Sequence, residues 1–497
     1  MIQPTPLHTS DLKGRSLMVT RGPTGRLFCE YEGSPCISTV SRDPLFSTAS
    51  IAKWKHILET RARLLKLRGL RLYILIAPES RYICRDEIPR NMILSDQSPA
   101  RQFCELFSGI DNLTIINPED ALISARGGID TYRTNDTHWS AYGAFVAYRA
   151  LVEQLPPGVP VKPVTAAEVS YRFRQAHGDL GALVEPEVSA EMPVASIRGG
   201  TTRIVFNYAG DGRNAWKRFE SSRGKGHAFV LRDSFATELG IYMNESFARV
   251  DWLGGTSRLH IEAIDEEKPD IVIWEVAERR LLIEETDHSP MTAYELYAFD
   301  SSTTYGMAAL EAYADKEEGN LSKALEGAKN AAKHPDAGTA YQYLVADILR
   351  VGGMFEEAEA TIKHAIKLRD DRPAYWHLLS VISRHLGKAK EATDASMYAV
   401  KLAPHNGQFV SDCGFNLLAS GKRNESIDLM AACRIYVSDA PALSYWLSTA
   451  YLQAGDALNA RKEAVNAYQL WPEHTEVNTL IQRIDRELIG ESLNSES

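Results

Sequence analysis

Five glycines recur at one interval in the carboxy-terminal part of the chain: Gly319, Gly353, Gly387, Gly421 and Gly455 are each 34 residues apart. Two series of small residues keep the same register. One is Ala324, Ala358, Ala392, Ser426 and Ala460; the other is Ala331, Ala365, Ala399, Cys433 and Ala467. A fixed period of this length means stacked repeats, because one such unit cannot bury its apolar face alone. Glycine permits a left-handed turn between two helices, and small side chains let helix backbones approach closely. Pro404 and Pro472 fall where repeats end. The period predicts an all-α solenoid of five two-helix repeats over residues 305–490.

The first 300 residues follow a different pattern. Apolar runs at 70–76, 113–116, 227–231 and 269–274 are separated by amphipathic stretches. That alternation predicts an α/β domain with a mainly parallel central sheet. A helix is expected over 51–67, with Ser50 as its N-cap and Gly69 as its stop. Residues 156–226 are Pro- and Gly-rich, then polar, and read as an insertion or as irregular strands over the sheet.

A formal net charge of −10, without a basic stripe, argues against a broad nucleic-acid footprint. The six cysteines form no CxxC pair, and the thirteen histidines include no HExxH, so no metal site is expected. The first twenty residues lack the apolar core of a signal peptide. No apolar run approaches the roughly 20 residues needed to span a bilayer. The expected location is therefore cytoplasmic.

Two segments could carry chemistry. In Asp136-Thr137-His138-Trp139-Ser140 a carboxylate and an imidazole lie two residues apart. In an extended segment they would share one side; in a turn the Asp could hold the ring directly. Ser140 is the expected N-cap of the helix that follows. The second segment, Arg232-Asp233-Ser234-Phe235, ends an apolar strand and precedes a helix. A serine there sits at the carboxyl edge of the sheet, where open α/β folds place their sites. Its hydroxyl becomes a nucleophile only when a base removes the proton, and His138 oriented by Asp136 could do so. Asp233 is expected to cap the following helix.

Taken in order, these blocks resemble the alginate O-acetyltransferase group of SGNH-hydrolase-like proteins. The likeness is carried by Gly25-Arg26-Leu27-Phe28, by Asp136-Thr137-His138-Trp139-Ser140 with Gly143-Ala144, by Arg232-Asp233-Ser234-Phe235, and by Pro269 to Glu275 with Glu278-Arg279. It spans about residues 20–285. It implies an SGNH-like (flavodoxin-like) α/β domain and an acyl-enzyme on Ser234, with His138 as base and Asp136 orienting it. Trp139, Arg133, Arg232, Glu275 and Arg279 would bind substrate or support the site. An acetyl donor is required, no cofactor is bound, and a carbohydrate is the acceptor. The carboxy-terminal period is similar to the tetratricopeptide family, which implies a protein partner on the array. The expected function is O-acetyl transfer to a glycan or glycoconjugate. The alternatives are a carbohydrate acetylesterase with the same three residues, or a non-catalytic adaptor.

Overall fold

The computed structural model describes residues 7–9, 17–31, 45–90, 92–184, 186–208, 215–254, 259–282, 299, 303–437 and 440–495. The chain divides into two compact units, Met1–Glu285 and Thr286–Ser497. Among the described residues no helix is long and apolar enough to cross a membrane.

The first unit opens with a small antiparallel sheet of β1 (Leu7–Thr9), β2 (Leu17–Arg21) and β3 (Leu27–Tyr31). Next come β4 (Leu72–Ala77), β5 (Leu113–Ile116), the paired β6 (Val169–Ala176) and β7 (Ala190–Ile197), then β8 (Arg203–Tyr208) and β9 (Trp216–Glu220). The last three are β10 (His227–Arg232), β11 (Arg249–Gly254) and β12 (Ile271–Ala277). The central sheet has the order β5-β4-β12-β10-β11-β9-β8. From β5 to β11 every pairing is parallel, and β9 and β8 extend that edge antiparallel. Residues 156–226 thus contain one separate hairpin, β6–β7, and two strands of the main sheet.

Strand β4 is buried at all six positions and β12 at all seven, as strands covered on both faces must be. Alternate residues serve opposite faces. Tyr73, Leu75, Val230 and Ile273 belong to one core with the helices Ala141–Glu153 and Ala236–Ser246. Trp274 faces the other way and stacks on Trp54 of the helix Thr48–Lys66, with ring centroids 6.1 Å apart. That helix starts earlier than the sequence predicts. Ser47, not Ser50, is the cap, its hydroxyl accepting the Ser50 N–H at 3.1 Å. Gly69 does take the left-handed turn after it, at φ +70°.

Among its described residues the second unit has five helix pairs, from Thr304–Glu317 with Leu321–Ala332 to Pro441–Gln453 with Ala457–Leu470, followed by Thr475–Ser495. All five periodic glycines have φ between +71° and +84° in the turn within a pair. Ala324, Ala358, Ala392, Ser426 and Ala460 are buried where the helices touch. The sequence period is therefore the period of the array.

Candidate active site

Ser234 stands two residues beyond β10, at the carboxyl edge of the sheet, and its side chain is exposed. The His138 ring reaches it from the segment ahead of helix Ala141–Glu153. Nε2 of His138 lies 2.7 Å from Ser234 Oγ, and Nδ1 lies 2.7 Å from Asp136 Oδ1. The structure thus brings together three residues separated by up to 98 positions along the chain. Asp136 and His138 are not on an extended strand. Asp136 Oδ1 also accepts the His138 backbone N–H at 2.9 Å, so a tight turn brings carboxylate and ring together.

The other Asp136 oxygen accepts from Arg133 Nη1 at 3.1 Å and from the Asp179 N–H at 3.3 Å. Burial alone would raise the Asp136 carboxyl. The bonds from the His138 ring and backbone, with the Arg133 charge, instead hold it well below the usual carboxylate range. The second Arg133 arm is paired with Glu238 of the helix after Ser234. Arg133 therefore ties the histidine segment to the serine segment, and it is spent on carboxylates within the protein.

Trp139 is fully buried, and its indole N–H donates to the Phe235 carbonyl at 2.9 Å. It cannot be a substrate-binding surface; it supports the loop that carries Ser234. Phe235 is also buried, and its ring lies 4.7 Å from that of His138. Arg279 sits over Phe235, 5.4 Å from the ring centroid, and donates to Glu79 at 2.9 Å. Arg232 Nη1 donates to the Asp233 carbonyl at 3.2 Å.

Asp233 does not cap the following helix by its side chain. It accepts the Phe235 N–H at 2.9 Å and the Ala277 N–H at 2.6 Å, which fastens the serine loop to the end of β12. Glu275, almost wholly buried in β12, accepts the Asp233 N–H at 3.1 Å. Burial, then the Asp233 charge, pushes the Glu275 carboxyl well above its ordinary value. Beside it, Glu278 accepts the Glu79 N–H at 2.6 Å and the Ala100 N–H at 2.9 Å, and burial pushes it up to about 8.

Three contributors escaped the sequence reading. Arg26 is buried; its guanidinium donates to the Tyr132 and Arg133 carbonyls at 3.1 and 3.0 Å and holds the segment entering the histidine turn. Glu238 holds Arg133. Asp179, in the turn Gly178–Gly181, accepts the Thr137 N–H at 2.7 Å, and one of its oxygens lies 3.5 Å from His138 Nδ1. Burial, then the nearby Asp136 charge, raises the Asp179 carboxyl. Asp136, His138 and Asp179 are the one set of three metal-ligand types gathered within 4.8 Å among the described residues. Their facing atoms are already engaged with one another and with Thr137.

Residues 19–214 match the family model described as an SGNH hydrolase-like domain, acetyltransferase AlgX. The match contains Asp136 and His138 and stops short of Ser234. No curated protein matches the chain. The first unit is similar to a DHHW family protein from Eubacterium siraeum DSM 15702, at 12% identity and TM-score 0.40, covering 56% of this chain and 95% of that one. It is also similar to the O-acetyltransferase domain of Pseudomonas putida AlgJ, at 17% identity and TM-score 0.38, covering 55% and 95%. The helical region is similar to a thermophilic tetratricopeptide protein of Thermus thermophilus, at 15% identity and TM-score 0.30, covering 37% and 100%. The chain thus matches the model of an SGNH hydrolase-like acetyltransferase domain over residues 19–214, ahead of an array of helix pairs.

Proposed function

We propose that the first unit transfers O-acetyl groups to a glycan or glycoconjugate through an acyl-enzyme on Ser234. The observation that carries this reading is the pair of 2.7 Å contacts, Ser234 Oγ to His138 Nε2 and His138 Nδ1 to Asp136 Oδ1. Ser234 Oγ attacks the acetyl ester carbonyl while its proton passes to His138 Nε2. The ionised Asp136 accepts from Nδ1–H, which fixes the tautomer and stabilises the imidazolium. The alkoxide of the donor leaves with the proton that His138 returns. A sugar hydroxyl then attacks the acetyl-serine, losing its proton to the same nitrogen; the Ser234 Oγ–acyl bond breaks and Oγ takes that proton back from His138. The Ser234 N–H, at the turn out of β10, is our candidate for one donor to the oxyanion.

Ser234 is exposed, which also leaves the acyl-enzyme open to water and favours acetylester hydrolysis as the second reading. The helical array would recruit a protein partner, in keeping with the usual role of solenoids. The test is intact-mass and peptide analysis after brief exposure to p-nitrophenyl acetate. An acetyl group on Ser234, absent from Ser234→Ala, is expected. No adduct and no turnover in the wild type would instead favour the adaptor. Product that appears only with an added sugar acceptor separates transfer from hydrolysis.

A further inference from the structure

The histidine is flanked by two carboxylates, and only one belongs to the Ser234–His138–Asp136 set. The second, Asp179, arrives from the segment between β6 and β7 on the turn Gly178–Gly181. That turn is fastened to the histidine segment at close range. The Leu180 and Gly181 N–H groups donate to the Asn135 carbonyl at 3.2 and 2.9 Å, and the Asn135 amide donates to Ala176 and Val188 carbonyls at 2.8 and 3.0 Å. A Cβ at Gly178 would lie 2.4 Å from the Asn135 carbonyl, and one at Gly181 would lie 2.2 Å from that of Val188. Both positions therefore require glycine, and Gly178 also has φ +65°. The approach delivers the Asp179 N–H to Asp136 and the Asp179 carboxylate to the Thr137 N–H and hydroxyl. Thr137 Oγ1 in turn lies 3.3 Å from His138 Nδ1.

From this geometry we infer that Asp179 is a positioning residue for His138: it braces Asp136 and Thr137, and its charge stabilises the imidazolium formed during acyl transfer. The inference rests on the acyl-transfer reading for the role of His138. The charged groups around the ring are Asp136 and Asp179 directly, Arg133 on Asp136, Glu238 behind Arg133, and Arg279 over Phe235. Asp179 is 41% exposed against 6% for Asp136, so solvent screens it and its influence is the smaller of the two.

The test titrates the full-length protein with 15N-labelled histidine rings, His138 being assigned by the signal lost in His138→Gln. Asp179→Asn is expected to lower the His138 midpoint by roughly 0.5–1 unit, since one nearby negative charge is removed. Thr137→Val, which keeps that charge, should leave it in place. In turnover of p-nitrophenyl acetate, kcat of Asp179→Asn should fall about three- to tenfold with KM unchanged. The acid limb of its pH profile should move to lower pH by the same amount. Asp179→Ser, which still accepts from Thr137, serves as a second charge-removing variant should Asp179→Asn not fold. Unchanged midpoints in the folded variants would overturn the inference, as would a kcat loss equal to that of Thr137→Val. A midpoint shift in Asp179→Asn, with no acetyl-Ser234 formed by the wild type, supports the hold of Asp179 on the ring and sinks the acyl-transfer reading alone.

Discussion

At the residue scale, each member of the candidate site has a distinct failure. Ser234→Ala removes the proposed nucleophile, so covalent acetylation should vanish while the fold stays intact, as checked by circular dichroism. Asp136→Asn keeps the shape but offers an amide to the ring and the backbone. The histidine then loses its enforced tautomer, and kcat should fall by about 10³–10⁴. Trp139→Phe should behave differently. It deletes the bond to the Phe235 carbonyl inside a buried contact, which costs about 1–3 kcal/mol in urea unfolding, with a smaller loss of rate. Ser234, His138 and Asp136, the three groups that the structure brings together, were legible in the sequence because each lies near an element boundary. What was not legible was which neighbours are engaged inward. Trp139 and Arg133 lie beside the histidine in the chain, yet their side chains turn into the protein, and only the packing of helix Ala236–Ser246 decides that. Asp179 carried no signal beyond a glycine on either side of a short turn.

At the scale of elements, the parallel strands could be read as runs of apolar residues, and the array could be read from its period. Boundaries were less visible. The predicted strand at 70–76 is Leu72–Ala77, because its pairing begins where Leu113 and Val272 are available as neighbours. Residues 156–226 were opaque because the edge strand β8 and its neighbour β9 are only partly buried and offer no apolar run longer than three residues. The glycine turns give a direct test of element-level roles. Gly387→Ala meets open space but keeps φ +71°, so only the backbone preference is lost, costing about 1–2 kcal/mol in the helical unit and nothing in acyl transfer. Gly178→Ala has φ +65° and meets the Asn135 carbonyl as well, so it should cost the first unit at least as much in unfolding and, by displacing the Asp179 turn, also lower kcat more than tenfold. Side-by-side urea melts and acetyl-ester kinetics would distinguish the two.

For the molecule as a whole, the first unit carries buried ionisable groups that set opposite pH limits. Asp251 is fully buried in β11, bonded to His227 at 2.7 Å, to Arg218 at 2.7 Å and to Arg249 at 2.9 Å. Burial alone would raise its carboxyl, but these partners bring it down to about 2. Its contribution is therefore complete above the ordinary carboxylate range and is lost as pH falls toward 2. Glu278 runs the other way. Its proton is retained in the folded chain up to about pH 8, while an unfolded glutamate releases it near its ordinary value of 4.5. Stability from Glu278 is thus full below pH 4.5, declines as pH rises, and is gone above about 8, a loss on the order of 3–5 kcal/mol. Glu275 adds to the same decline, since its carboxyl is also raised by burial. Urea unfolding between pH 3 and 9 should show the transition of the first unit weakening on the alkaline side. Glu278→Gln, neutral at every pH, should flatten that decline while leaving the acid side to Asp251. A Glu278→Gln variant with the same alkaline slope as the wild type would mean that this carboxyl does not carry its proton in the folded protein. The hold of Glu278 on the Glu79 and Ala100 amides would then be that of an ionised acceptor.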